Sequence, residues 1–487
     1  MRLSDLVGPR HGVPGFWSRV AVKGLSADSR KVEKGYLFAA LPGSQTDGAK
    51  FLEAAIANGA AAVLLPKGSL DVTNIPVPVI EEADPRRALA LMAARFYKKQ
   101  PKTAAAVTGT NGKTSVVAFL QQIWQGLGFD AASLGTVGFN SAHGSVLLAH
   151  TTPDPVMLHS LLADAAKQGI SHIAVEASSH GLQQRRLDGL KLKAAAFTNI
   201  SRDHLDYHAD FDDYLAQKRR LFDELLPQDG AAVVNADALH ANVFCDAALA
   251  RGARLITVGE EGNELTLRGP AIEGFGQQLS VSAEGKSYDI ALPLVGAFQT
   301  SNALVAAGLA IGCGAATADV LPLLGQLQGA RGRLDLCATA PSGAPIFIDY
   351  AHTPDALANA LDALRPYVRA RLIVVFGCGG DRDTGKRPLM GAVAGDRADA
   401  VIVTDDNPRG EAPKKIRAQI MKSLPEALEI GDRAEAIAAA IAEARDGDLV
   451  LIAGKGHETG QIVGDRVIPF SDHEAVAAVL GTEIADV

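Results

Sequence analysis

Cysteine is scarce in this chain, with four among 487 residues. Cys245, Cys313, Cys337 and Cys378 form no Cys-x-x-Cys pair, which argues for free thiols rather than a disulfide or zinc framework. Cys378 adjoins a glycine-rich segment, but no base stands near it in sequence and no nucleophilic role is assigned to it. Aromatic residues are only 5%, while hydrophobic residues reach 47%, many of them alanine, a composition suited to helices packed closely on sheets. Positive charge is not in excess: 47 Lys and Arg face 55 Asp and Glu, a net charge of −8. A nucleic-acid partner wants a basic face, so none is expected, whereas a small anionic substrate needs only a local basic cluster. No apolar run reaches the ~18 residues of a membrane span. Met1 to Arg10 lacks the apolar core of a signal peptide, so the expected location is cytoplasmic.

The length suggests roughly three domains. Short apolar strands alternate with Ala-rich helical stretches, which argues for α/β layers. The first unit holds strands at 36–40 and 61–65, a Pro-punctuated segment at 75–78 and a helix over about 84–97. Gln100-Pro101 reads as a linker. The second unit starts with a strand at 103–107 and continues with strands at 173–176, 194–200 and 231–235. Its alternating stretch from Glu264 to Leu294 reads as antiparallel, and a helix at 302–311 closes it. The third unit follows 329–333, with strands at 346–348, 372–376, 400–404 and 449–453. Each of these runs into a polar turn rich in Gly or Asp. Ligands of open parallel sheets bind beyond the carboxyl ends of strands, so these turns are candidate site segments. The domains are therefore expected at 1–101, 102–330 and 331–487.

The strongest local signal is Val107-Thr108-Gly109-Thr110-Asn111-Gly112-Lys113-Thr114-Ser115, between an apolar strand and a helix over 116–127. Its glycines let backbone N–H groups wrap an anion at a helix N-terminus. Lys113 would bridge terminal phosphates and the Thr114 hydroxyl would ligate magnesium. Val107 stands where the usual pattern has its first glycine, so the loop is a variant form. It specifies nucleotide binding and leaves the reaction open.

In its Gly-Thr-Asn-Gly-Lys-Thr form the loop resembles that of the Mur ligase family, with folylpolyglutamate synthases as more distant relatives. Further matches follow in the family's order: 176–181 (Glu-Ala-Ser-Ser-His-Gly), 199–206 (Asn-Ile-Ser-Arg-Asp-His-Leu-Asp), Lys218, Asn302-Ala303-Leu304, Gly332-Arg333 and 349–354 (Asp-Tyr-Ala-His-Thr-Pro). The resemblance covers essentially the whole chain. It implies an N-terminal nucleotide-sugar-binding α/β domain, a central P-loop-type ATP-binding α/β domain and a C-terminal Rossmann-like α/β domain for the incoming amino acid. It implies ATP and Mg2+ as cofactors and a ligase that activates a carboxylate as an acyl phosphate, which an amine then attacks. Such chemistry concentrates negative charge and calls for cations around it. Glu176 ends one apolar strand and His204 follows another, where they would hold magnesium. Lys218 matches a lysine that the family carbamylates to a magnesium-ligating anion, and its Gln-Lys-Arg placement fits that lysine better than Arg219 or Arg220 does. Asn302, Arg333 and Asp349 would contact adenosine.

The same resemblance implies UDP-N-acetylmuramoyl-L-alanyl-D-glutamate as acceptor, held by Ser29, Ser44, Gln45, Thr46, Thr151, Thr152, Ser178, Gln184 and Arg186. Two departures appear: Ser44 stands where such relatives often have His, and His150 where some have Asn. Arg186 suits an anionic substrate, because arginine forms paired hydrogen bonds to carboxylate. In the third domain, turns carrying Arg382, then Asp406-Asn407-Pro408-Arg409, then Gly454 and Glu458 each follow an apolar strand. Meso-diaminopimelate has two amino-acid ends. Arg409 and Arg382 would pair its second carboxylate and Glu458 its second ammonium. Asp-Asn-Pro-Arg is the pattern of diaminopimelate-adding relatives, and lysine-adding ones lack the arginine. A monomer is expected. Two other readings remain: a folate-type glutamate ligase, which would lack Asp-Asn-Pro-Arg and the uridine domain, and a non-catalytic nucleotide-binding protein, which would have lost Lys113, Glu176, His204 or Lys218.

Overall fold

The computed structural model describes residues 1–8, 15, 17–43, 47–201 and 207–482. Two compact units result, the first comprising Met1–Leu267, Ser282–Lys286 and Ser301–Leu323. The second comprises Arg268–Val281, Ser287–Thr300 and Leu324–Val487.

The first unit opens with a four-stranded parallel sheet, in the order Gly24–Ser26, Tyr36–Ala39, Ala62–Pro66, Val79–Glu82. The last strand directly follows the Pro-punctuated segment and was not expected from it. Helix Pro85–Tyr97 has Pro at its start and Asp84 as cap, accepting from the Arg87 amide. Its Leu89, Met92 and Ala93 close a core with Leu3, Leu6, Leu37 and Leu64.

The same unit contains a larger sheet. Its strand order is Arg254–Gly259, Ala231–Asn235, Ala194–Phe197, Thr103–Thr108, His172–Glu176, Ala131–Gly135, Gly138–Ser141, Gly144–Val146. The first six strands are mutually parallel and the last two antiparallel. Thr103–Thr108, Ala194–Phe197 and Ala231–Asn235 are rich in Ala, which lets helices lie close. A Cβ on Gly308 would stand 2.7 Å from Val233, and one on Gly312 2.8 Å from Ala231. Thr103–Thr108 is flanked by His172–Glu176 on one side and Ala194–Phe197 on the other, so chain order reverses across it. The crevice at such a switch point, beyond the strand carboxyl ends, is where ligands bind. The loops at 109–112, 177–178 and 198–201 all lie there.

Several boundaries differ from the sequence reading. The helix after the loop begins at Lys113 itself (Lys113–Gly126). The strand expected over 194–200 stops at Phe197, because Thr198 and Asn199 turn to bond the loop. The segment carrying Lys218 is α-helical over Phe211–Arg220 and π-helical over Leu221–Leu225. The stretch expected to be antiparallel starts with a parallel contact, Val258 against Leu265. The short loop between them is tied down by the Asp237 carboxylate, which accepts from the amides of Glu260 and Glu261. Beyond it, Leu265–Glu273, Gly276–Ala283 and Lys286–Leu292 are neighbours joined by two-residue turns, which only antiparallel strands permit.

The second unit centres on a six-stranded sheet ordered Asp335–Thr339, Pro345–Asp349, Leu449–Ala453, Leu372–Phe376, Ala400–Val403, Leu428–Glu429. Only the first strand is antiparallel. Side chains alternate across it. Phe347, Val374 and Leu451 pack with Leu357, Leu361 and Met390 on one face. Ile346, Ile348, Ile373 and Ile452 pack with Ile437, Ile441 and Val476 on the other. A parallel sheet covered on both faces reads as continuous apolar runs, as these strands do. Leu449–Ala453, late in sequence, sits in the middle, so the turns after Asp349, Phe376, Val403 and Ala453 cluster at one edge.

Candidate active site

The phosphate-type loop is fixed by close approach. Gly109 (φ 153°) would place a Cβ 2.0 Å from Thr198 Oγ1, and Gly112 (φ 86°) would place one 2.2 Å from Asn302 Oδ1. No other residue type fits either position, and the second contact sets the Asn302 carboxamide against the loop. Asn199 binds the loop at two points, accepting from the Thr110 amide (2.9 Å) and the Asn111 amide (3.0 Å). Thr110 Oγ1 accepts from the Ser201 amide at 3.0 Å and pairs with the Tyr214 hydroxyl. The helix starting at Lys113 has Gly112 as its cap residue and no side-chain cap, so its first N–H groups face the loop. Lys113 Nζ donates to the carbonyls of Gly109 (2.9 Å) and Thr110 (2.8 Å). Thr114 and Ser115 are buried behind it.

Lys218 is 1% exposed, and its Nζ donates to Gly109 O at 2.7 Å while lying 4.3 Å from the centre of the Tyr214 ring. Its neighbours point elsewhere. Arg219 pairs with Asp223 on the surface. Arg220 is buried against Asp188 and Leu182 O, both at 2.6 Å. Of the three basic residues, Lys218 is thus the one that reaches the loop.

Glu176 is fully buried at its strand end. Its carboxylate accepts from the Thr136 amide (2.8 Å) and hydroxyl (3.1 Å). The Thr136 hydroxyl also pairs with Thr151 Oγ1 at 3.0 Å. Thr152 Oγ1 donates to Glu176 O at 2.8 Å and pairs with Ser178 Oγ at 3.0 Å. Ser178 in turn caps helix Ser179–Gln183. Arg186 donates to Thr152 O (2.5 Å) and to the Gln184 carboxamide oxygen (2.7 Å). Gln184 donates to the Tyr207 hydroxyl at 3.0 Å. Thr151, Thr152, Ser178, Gln184 and Arg186 thus form one network with Glu176. Thr136 and Tyr207 join it without having been singled out. Thr136 lies in a plain Gly-Thr-Val-Gly turn whose only sequence signal is its pair of glycines. Ser29 stands apart, half-buried just past strand Gly24–Ser26, with its carbonyl accepting from Asn58. Ser44, Gln45, Thr46 and His204 lie outside the described residues.

Among the described residues no three His, Cys, Asp or Glu side chains gather as a metal centre. The oxygen donors at the loop nevertheless suit a hard cation: among the described residues the buried Glu176 carboxylate accepts only from Thr136, and the Thr114 hydroxyl sits at the helix start. Lys218 would add oxygen donors only as a carbamate.

In the second unit the turns carrying Asp406–Arg409, Gly454–Glu458 and Gly379–Asp383 meet. Asn407 Nδ2 donates to Glu458 Oε2 at 2.8 Å, and the same oxygen accepts from Lys455 Nζ at 2.9 Å. Lys455 is 0% exposed and also donates to Asn407 Oδ1 (3.2 Å) and Gly460 O (2.7 Å). It went unnoticed as a site residue because a lysine between two glycines reads as a surface turn. Arg409 has φ 50° and donates to Gly380 O at 3.0 Å. A Cβ on Gly454 would stand 2.7 Å from Asp406 Oδ2, so glycine is needed for this approach. Pro408 lies between Asn407 and Arg409, and its carbonyl accepts from the Glu411 amide. Arg382 is exposed, and its turn meets the Arg409 turn through Gly380 and Asp381 instead.

Asp349, at another strand end, accepts from the amides of Leu334 and Ala351, both at 2.7 Å. Burial raises its pKa, with Arg333 opposing. Arg333 lies 4.8 Å over the Tyr350 ring, and the His457 ring packs against the same ring at 5.2 Å, tilted by 44°. Burial, then Arg333, pushes His457 down to about 4. The cysteines are free, and burial pushes Cys378 and Cys313 up to about 12, which leaves both unreactive as nucleophiles.

The chain matches the family model "Mur ligase middle domain" over residues 107–310, "Mur ligase, glutamate ligase domain" over 332–456 and "Mur ligase family, catalytic domain" over 21–97. It is 54% identical over 489 residues to the UDP-N-acetylmuramoyl-L-alanyl-D-glutamate--2,6-diaminopimelate ligase of Bradyrhizobium diazoefficiens, covering 100% of each chain. A solved structure of a UDP-N-acetylmuramoyl-L-alanyl-D-glutamate--2,6-diaminopimelate ligase matches with a TM-score of 0.74 at 35% identity, over 99% of both chains. The Mycobacterium tuberculosis folylpolyglutamate synthase complexed with ADP matches with a TM-score of 0.62 at 19% identity, over 76% of this chain and 92% of that one, a likeness of fold.

Proposed function

The chain belongs to the Mur ligase family, and from that premise we propose that it is an ATP-dependent ligase joining meso-2,6-diaminopimelate to UDP-N-acetylmuramoyl-L-alanyl-D-glutamate. The observation that carries the ligase reading is the convergence of Lys113 and Lys218 on the Gly109 carbonyl, at the sheet's switch point and one strand from Glu176. Such a cationic nest suits phosphoryl transfer, where positioning and charge stabilisation supply most of the catalysis.

In the proposed reaction a D-glutamyl carboxylate oxygen attacks the γ-phosphorus of ATP, and ADP leaves. The amine nitrogen of diaminopimelate then attacks the acyl carbon and loses a proton. Phosphate departs with the electron pair of the C–O bond, and an amide remains. The loop amides of 109–115 and Lys113 hold the phosphates. Glu176, Thr114 and, as a carbamate, Lys218 would hold Mg2+, with His204 as a further ligand. Bound there, the metal supplies positive charge against the phosphate oxygens. Arg186, Thr151, Thr152, Ser178 and Gln184 orient the acceptor. Ser29, Ser44, Gln45 and Thr46 serve its uridine diphosphate end.

Arg409 supplies a cation for the distal carboxylate of the incoming amino acid, and Glu458 an anion for its distal ammonium. Arg382, Asp406, Asn407, Pro408 and Gly454 line the same turns. A folate-type glutamate ligase has no use for that pair, and its likeness to this chain is one of fold. A non-catalytic binding protein has no use for Lys218 buried against the loop. We divide the chain functionally at 101 and 330. We place the enzyme in cytoplasmic peptidoglycan precursor synthesis, as a monomer. No helix among the described residues is long and apolar enough to cross a membrane. The test is phosphate release and product formation with the muramoyl-dipeptide nucleotide, ATP and a panel of diamino acids. Release that depends on diaminopimelate is expected, and release indifferent to the amino acid defeats the reading.

A further inference from the structure

We propose that Glu411, gripped by Arg387, is a positioning residue that sets Arg409 to receive the distal carboxylate of the incoming amino acid; this rests on reading that amino acid as diaminopimelate. Arg387 is fully buried at the start of helix Lys386–Arg397 and forks onto Glu411, Nη2 to Oε1 at 2.7 Å and Nη1 to Oε2 at 3.0 Å. It also donates to Gln419 Oε1 (2.6 Å) and Gly379 O (3.1 Å). Glu411 passes the constraint on, because its Oε1 accepts from the Asp381 amide at 2.7 Å. The Asp381 carboxylate accepts from the Gly410 amide at 2.8 Å, and Gly380 N donates to Asn407 O at 2.9 Å. The two turns are thereby stitched on both sides of Arg409.

The stitching holds a conformation that side chains seldom adopt. Asp381 (φ 52°) and Arg409 (φ 50°) are both left-handed, and they face each other across this frame. Such backbone persists only where its surroundings over-determine it, and it clusters at ligand sites. Space is equally constrained: a Cβ on Gly380 would stand 1.9 Å from Pro408 O, and one on Gly379 2.6 Å from Arg409 Nη1. Arg387 and the Asp381 amide hold the Glu411 carboxyl down at about 2, so the frame stays charged across the working pH range.

The frame ends in an arginine with donors to spare. Arg409 Nη1 donates to Gly380 O, whereas Nε and Nη2 have no hydrogen-bond partner among the described residues. Those two donors form the edge that takes a carboxylate with two parallel bonds, and that geometry fails with small misplacement. Glu411 touches no substrate in this scheme and acts only through where it holds Arg409.

A double-mutant cycle tests this, with wild type, Glu411→Gln, Arg409→Ala and the double variant compared on diaminopimelate. Glu411→Gln should raise the KM for diaminopimelate about tenfold, with kcat and the KM for ATP within about twofold of wild type. In the Arg409→Ala background it should add less than about twofold, because its effect runs through that arginine. Full additivity, an unmoved KM, or equal losses in kcat and ATP affinity would overturn the proposal. If Glu411→Gln proves too unstable to assay, Asp381→Gly at an exposed position takes its place in the cycle with the same outcomes. A wild type that turns over diaminopimelate while the cycle is additive sinks this proposal alone. A wild type inert to diaminopimelate sinks the substrate reading and this proposal together.

Discussion

Lys113 and Lys218 donate to one and the same oxygen, the carbonyl of Gly109, at 2.9 and 2.7 Å. Their ammonium groups therefore lie within about 6 Å of each other, in a region where Lys218 is cut off from water. Like charges so placed repel, and anything that reverses the sign of one of them turns repulsion into attraction.

Carbon dioxide can make that reversal on Lys218. Lys218→Ala should be nearly inactive, high bicarbonate should not restore it, and a small carboxylate in the buffer should rescue it in part. Wild-type crystals or mass spectra obtained under carbon dioxide should show the carbamate, and free lysine alone would count against it.

Lys113→Ala should leave the fold intact and lower kcat by about two to three orders of magnitude, the usual cost of one lost stabilising donor at a developing charge. The helix keeps its start, since Gly112 O still accepts from the Val116 amide. A folded variant with near-normal turnover would remove the loop from the chemistry.

Arg409→Ala should raise the KM for diaminopimelate sharply, leave that for ATP almost unchanged and narrow the gap to L-lysine. Hydrogen bonds to charged groups contribute about 1.5–3 kcal/mol each, or one to two orders of magnitude in selectivity. Parallel kinetics on both amino acids check this, and an unchanged selectivity ratio would refute it.

His457 makes acid stability a readout. Its pKa is pushed from 6.5 down to about 4, chiefly by burial. The unfolded chain therefore binds a proton that the folded chain refuses. Its contribution is intact above pH 6.5 and is lost steadily as pH falls from 6.5 towards 4, by at most about 3 kcal/mol. Denaturant titrations across that window should show the slope in wild type and a flatter one in His457→Gln.

What the sequence revealed followed the range of the interactions involved. The loop at 107–115 was legible because its glycines, lysine and flanking strand and helix are contiguous. The polar turns of the third domain were legible for the same reason. Lys218 was picked out over Arg219 and Arg220 through the resemblance alone, since helical phase against a distant strand decides which of the three faces the loop. Lys455 and Thr136 escaped notice because their partners, Glu458 with Asn407 and Glu176 with Thr151, are assembled only by tertiary packing. Strand Ala131–Gly135 was missed because Ala-Ala-Ser-Leu-Gly carries no β-branched residue, and its place in the sheet comes from its neighbours.

Arg409 is also a rung of backbone. Its amide donates to Ile462 O at 2.9 Å and its carbonyl accepts from the Gly464 amide at 2.7 Å. This joins the turn to the hairpin formed by Gly460–Val463 and Arg466–Pro469. A small two-stranded ribbon is a weak element by itself, so its opening and closing should be among the faster fluctuations of this unit. Arg409, proposed above to take the distal carboxylate, and the ribbon must then breathe together. Deuterium uptake at the amides of Arg409 and Gly464 should slow in the same proportion when diaminopimelate is added, and the lifetime of the bound amino acid should track the closed lifetime of the ribbon.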